Sequence, residues 1–129
     1  MANAYSEQAS YSTMLVTIDA HIAVVTLNRP EARNALNRLA YTELEAIFRD
    51  LQKNSDVRCI ILTGTDPAFC SGDDVKELMT GDGDTGKQRL RSVRPGTTPA
   101  ATAIMDCDRP IIAAVNGAAT GVLLERWGG

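Results

Sequence analysis

No stretch of this sequence approaches the roughly 18 consecutive apolar residues that a bilayer-spanning helix needs, so no membrane-embedded segment is expected. Paired cysteines are missing too, because Cys59, Cys70 and Cys107 are dispersed with no CxxC pair. An odd, scattered set reads as reduced thiols in a cytoplasmic protein, against a disulfide framework or a zinc site, and no metal is expected. The opening residues, MANAYSEQASYSTM, have neither a basic n-region nor an apolar core. They carry no secretory signal pattern, and residues 1–13 are expected to form a flexible tail. A net charge of −3 offers no clustered basic face, which argues against a nucleic-acid partner. The single histidine, His21, has no Ser or Cys nucleophile motif to accompany it and is read as a solvated turn residue.

What is present suits one soluble domain: 129 residues, 44% hydrophobic and 22% charged. Residues 14–19 (MLVTID) and 22–27 (IAVVTL) are β-branched runs separated by Ala20 and His21, a hairpin pattern. Asn28, Arg29 and Pro30 should end the second strand, since proline cannot donate to a ladder. From Asn37, a plausible N-cap, Ala40, Leu44, Ile47, Phe48 and Leu51 recur at three- and four-residue spacing, which predicts a helix with one buried stripe. Residues 53–56 should close it. The runs at 59–63 (CIILT) and 111–115 (IIAAV) are wholly apolar and predict strands covered on both faces. A loop is expected at 64–72, a short helix at 74–79 and another at 99–106. The order of elements implies an α/β protein with crossover connections.

Two motifs in residues 81–88 (GDGDTGKQ) fail on chemistry. A phosphate-binding loop needs Ser or Thr after its lysine to reach magnesium, but Gln88 stands there and Asp82 and Asp84 would repel phosphate. A calcium loop needs a bidentate glutamate at its twelfth position, where Val93 stands.

Four other segments, in order, carry a resemblance. Residues 28–36 (NRPEARNAL), 60–64 (IILTG), 68–78 (AFCSGDDVKEL) and 109–121 (RPIIAAVNGAATG) together resemble the crotonase, or enoyl-CoA hydratase/isomerase, family. The resemblance covers residues 14–121 and implies the family's ββα spiral, here truncated to its N-terminal half, with residues 122–129 a divergent tail. It also implies an acyl-CoA thioester as ligand, with coenzyme A entering as part of the substrate and no separate cofactor. A thioester turning into an enolate builds negative charge on its carbonyl oxygen. Two backbone N–H groups aimed at that oxygen stabilise it, each worth about a hundredfold to a thousandfold in rate.

By the match, the first donor is the N–H of Asp73 and the second that of Val122, while Glu125 falls where hydratases carry a glutamate that positions water and exchanges a proton. The resemblance further places Ala32, Arg33, Ala68, Ser71, Gly72, Asp74, Val75, Lys76 and Gly121 along the thioester and coenzyme A channel. Val122 and Leu123 replace the small residues the family usually has there. The second catalytic glutamate and the C-terminal helices of the family have no counterpart in the 129 residues, so sheet edges and an apolar face should be left uncovered. Self-association into a homo-oligomer is therefore expected. A catalytically silent acyl-CoA-binding half-domain is the alternative reading.

Overall fold

Residues 9–72, 74, 98–117 and 119 are described in the computed structural model. Five strands form one sheet in the order β1-β2-β3-β4-β5. They are β1 (Ala9–Ser10), β2 (Met14–Asp19), β3 (Ile22–Leu27), β4 (Cys59–Gly64) and β5 (Ile111–Ala113). β2 runs antiparallel to both of its neighbours, β1 and β3, and β3, β4 and β5 are parallel. The parallel connections run through helices, as they must when strands point the same way: α1 (Arg38–Lys53) joins β3 to β4, and α2 (Pro99–Met105) precedes β5. Among the described residues no helix is long and apolar enough to cross a membrane.

The register explains the core. Met14 faces Leu27, Val16 faces Val25, and Val25 in turn faces Leu62, while Ile60 faces Ile111. Alternate residues therefore share one side of the sheet, and all of these are buried. The stripe of α1 lies on that side: Ala40, Leu44, Ile47, Phe48 and Leu51 are its buried residues, the same five that periodicity singles out. Each large apolar side chain so buried contributes roughly 1.5–3 kcal/mol. Ala100, Ala103 and Ile104 of α2 complete the cluster. The Asn37 side chain caps α1 by accepting from the Ala40 N–H at 2.8 Å. In the β2–β3 turn both Ala20 (φ 51°) and His21 (φ 67°) are left-handed, the conformation that a two-residue hairpin requires.

Three expectations change. Ala9–Ser10 pair with β2, so the ordered chain starts before Met14; the short, polar strand has no alternation to betray it. Among the described residues, nothing covers the second face of β4 or β5. In β4 the burial alternates, with Cys59, Ile61 and Thr63 only half-buried, and in β5 Ile112 is 54% exposed. The run 111–115 also leaves the sheet after Ala113, with Val115 outside it. An apolar outer row of Val24, Ile61 and Ile112 crosses the three parallel strands.

Glu43, on α1, ties down the segment between β1 and β2. Its carboxylate accepts from the N–H groups of Ser12 (2.9 Å) and Thr13 (2.8 Å) and from the Thr13 hydroxyl. Burial pushes this carboxyl up, but the three hydrogen bonds outweigh it and hold its pKa below the ordinary value. A carboxyl with a depressed folded-state pKa contributes stability that is present above its unfolded pKa and lost as pH falls through the folded one. This contribution should therefore begin to fade near the ordinary carboxylate range, about pH 4–5, and be lost below it. In Glu43→Gln this part of the pH dependence should be flattened, as measured by urea midpoints between pH 3 and 7. Identical pH slopes in the two proteins would exclude the tether.

Candidate functional site

The carboxyl ends of the parallel strands β3 and β4 lie side by side, with Leu27 opposite Gly64. Two loops leave from there. The first, after β3, turns through a short 3-10 helix (Pro30–Ala32) and then through two consecutive left-handed residues, Arg33 (φ 51°) and Asn34 (φ 57°). This double reversal costs energy in L-residues, and Asn34 shows what holds it. Its side chain is 1% exposed. Its Oδ1 accepts from the Arg29 N–H at 2.8 Å, and its Nδ2 donates to the carbonyls of Thr65 (2.8 Å) and Ala68 (2.7 Å). One buried amide thus closes its own loop and fastens it to the next.

The second loop, after β4, is laced to the first along its length. The Ser71 N–H donates to the Arg33 carbonyl at 3.2 Å, and the Ser71 hydroxyl to the Ala32 carbonyl at 3.3 Å. Further on, the Leu36 N–H donates to the Gly72 carbonyl at 2.8 Å, and the Asp74 N–H donates back to the Leu36 carbonyl at 3.0 Å. Gly72 has φ 95°, a value at which a side chain is strained. An ion pair adds to the backbone lacing: Arg29 Nη2 lies 3.0 Å from Asp74 Oδ2, with side chains 17% and 12% exposed. The same guanidinium donates through Nη1 to the Ala35 carbonyl.

On its other side the second loop meets the segment after β5. Cys70 and Ala119 form a parallel bridge. Asn116 donates through Nδ2 to Asp66 Oδ1 at 3.1 Å. The backbones approach so closely that a Cβ on Gly117 would lie 2.4 Å from the Pro67 carbonyl oxygen. Residues 64–72 are therefore clamped between two neighbours.

Of the candidate residues, the structure brings together Ala32, Arg33, Ser71, Gly72 and Asp74 at the junction of the two loops. Ala32 is half-buried, and Arg33 and Ser71 are exposed, so the junction has a solvent-facing rim with a cation on it. Ala68 stands apart, 1% exposed with its carbonyl taken by Asn34; it supports the loop from beneath. Asp73, Val75, Lys76, Gly121, Val122 and Glu125 lie outside the described residues, as do the glycine-rich stretch at 81–88 and the helix expected at 74–79. His21 is far from this junction in the fold, at the opposite end of β3. There its Nδ1 lies 2.9 Å from the Asp56 carbonyl, a partner for a turn residue. The three cysteines are free; buried Cys70 accepts from the Gly72 N–H through its sulfur at 3.4 Å.

Sequence reasoning missed the parts played by Arg29, Asn34 and Leu36. All three lie in the 28–36 motif, and asparagine is a residue type that tolerates a left-handed position. The partners of its amide, about thirty residues away in the chain, leave no local trace.

Comparison with known proteins agrees with this fold. The sequence profile of the Enoyl-CoA hydratase/isomerase family matches residues 17–124. A probable enoyl-CoA hydratase of Mycobacterium tuberculosis is 37% identical over 117 residues, covering 91% of this chain and 44% of that protein. A mitochondrial Delta(3,5)-Delta(2,4)-dienoyl-CoA isomerase of Mus musculus is 36% identical, covering 87% of this chain and 37% of its own length. Among solved structures, an enoyl-CoA hydratase/carnithine racemase from Magnetospirillum magneticum superposes with a TM-score of 0.73 at 28% identity, over 91% of this chain and 43% of that one. The chain spans about two fifths of the length of these relatives.

Proposed function

This chain belongs to the enoyl-CoA hydratase/isomerase family, and from that premise we propose that it binds an acyl-CoA thioester at the junction of the two loops, with backbone N–H groups receiving the thioester oxygen. The observation that carries the proposal is the parallel bridge between Cys70 and Ala119. Asp73 and Val122 each follow a member of that pair by three residues in the sequence. The bridge sets side by side the two segments from which these residues continue, and that supports the reading. The bonds of Leu36 to the Gly72 carbonyl and the Asp74 N–H also support the reading, because they anchor the residue on each side of Asp73.

In this reading the two donors stabilise the enolate that forms when a proton is exchanged next to the thioester carbonyl. Arg33 on the rim is suited to meet a phosphate of coenzyme A, and the cofactor nucleotide enters as part of the substrate. Glu125 would supply the carboxylate that positions water and exchanges the proton. The relatives named for hydration and for isomerisation share this half of the fold, so the fold alone does not select between the two reactions.

The test is a calorimetric titration of the 129-residue chain with acetoacetyl-CoA, with free CoA as comparison. Acetoacetyl-CoA is expected to bind at least about tenfold more tightly, a difference of 1.4 kcal/mol. Glu125→Gln should keep that preference and lose any turnover of crotonyl-CoA. Equal affinity for the two ligands, or heat with neither, would remove the thioester site from the proposal.

A further inference from the structure

We propose that Arg29 is a positioning residue for the thioester site, acting through its ion pair with Asp74 to fix that residue of the second loop against the first. This rests on the thioester-binding reading above.

Three features single out Arg29. Its own backbone is fixed, since its N–H donates to buried Asn34 Oδ1 at 2.8 Å. Its guanidinium reaches across the loop junction, donating through Nη1 to the Ala35 carbonyl and pairing through Nη2 with Asp74 Oδ2 at 3.0 Å. And the pair is largely withdrawn from water, at 17% and 12% side-chain exposure. Surface ion pairs contribute little because solvent screens them, but a pair withdrawn to this extent is poorly screened, and losing one member leaves the other charge in a costly place.

The geometry gives the pair a task that the backbone alone does not perform. The two hydrogen bonds of Leu36, to Gly72 and Asp74, fix the spacing of the loops. Residues 64–72 are already clamped by the bonds of Asn34 and Ser71 and by the Cys70–Ala119 bridge. Beyond them Arg29 holds the Asp74 side chain and, on the first loop, the Ala35 carbonyl, one residue before Leu36, so it braces Asp74 against the first loop. A planar guanidinium with donors in a fixed fork can hold two acceptors at set angles, which the single ammonium of lysine cannot. Donor placement at an oxyanion is a matter of a few tenths of an ångström, and a misplacement of about 1 Å can cost a hundredfold.

Arg29→Lys and Asp74→Asn test this in the full chain. Each variant is titrated with acetoacetyl-CoA and with CoA, and the ratio of the two affinities is compared with that of the parent. Circular dichroism and a thermal melt establish that the fold persists. The ratio is expected to fall about tenfold in both variants, while a merely structural role would weaken both ligands alike and leave the ratio where it was. Should Arg29→Lys fail to fold, Asp74→Asn, which keeps the side-chain shape, decides the matter. A parental preference for acetoacetyl-CoA that persists in a folded variant overturns the role of Arg29 and leaves the thioester reading standing. No preference in the parent overturns both.

Discussion

Gly64→Ala is expected to destabilise the chain by about 3–4 kcal/mol, near the upper end of what a single added methyl group does to a packed interior. Gly64 ends β4 opposite Leu27, where the two functional loops separate. A Cβ there would lie 2.4 Å from the Phe69 carbonyl oxygen, 2.7 Å from that of Ala68 and 2.9 Å from Asn34 Nδ2. The first two are backbone atoms. Ala68 and Phe69 are each 1% exposed, so neither can swing aside as a long side chain would. To admit the methyl group, the second loop must move away from the strand end and break the Asn34 bond to the Ala68 carbonyl. Urea unfolding monitored by circular dichroism measures the loss, and binding of acetoacetyl-CoA should fall with it. A midpoint within about 1 kcal/mol of the parent would show that the loop is looser than these distances imply.

How far this arrangement could be read from residues alone follows from the range of the forces involved. The hairpin, the stripe of α1 and its Asn37 cap were legible because each is written in spacings of two to four residues, and the structure has them where the pattern puts them. The covering of β4 and β5 was not, because an apolar residue such as Ile61 or Ile112 looks the same in sequence whether or not something packs on it. At the site, the order of four motifs was enough to bring Ala32, Arg33 and Ser71 together. The bracing was hidden. Nothing near Asn34 in sequence names Thr65 or Ala68 as its partners, and nothing near Arg29 names Asp74, since hydrogen bonds across thirty or more residues are set by tertiary approach. The double left-handed turn at Arg33 and Asn34 shows the same division. Local chemistry permits asparagine there, but the reason for paying the strain lies in the second loop.

That division can be measured at Asn34 itself. Asn34→Ala is expected to destabilise the chain by about 4 kcal/mol, made of two separable parts. The larger, about 3 kcal/mol, comes from stripping the Arg29 N–H and the carbonyls of Thr65 and Ala68 of their shared partner in a site that is 1% exposed. The smaller, about 1 kcal/mol, comes from holding a Cβ at φ 57° without the side-chain bonds that favour asparagine there. Asn34→Gly removes the amide but not the conformational freedom, so it should lose the first part and little of the second. The difference between the two variants, read from urea midpoints, then isolates the cost of the left-handed turn. A loss below about 1.5 kcal/mol in Asn34→Ala would mean that water replaces the amide at all three partners. Equal losses in the two variants would mean that the loop abandons its left-handed turn once the amide is gone. In the expected case both variants loosen the joint between the two loops, and the preference for acetoacetyl-CoA over CoA should fall in each, because the Arg29 brace starts from a backbone that Asn34 holds in place.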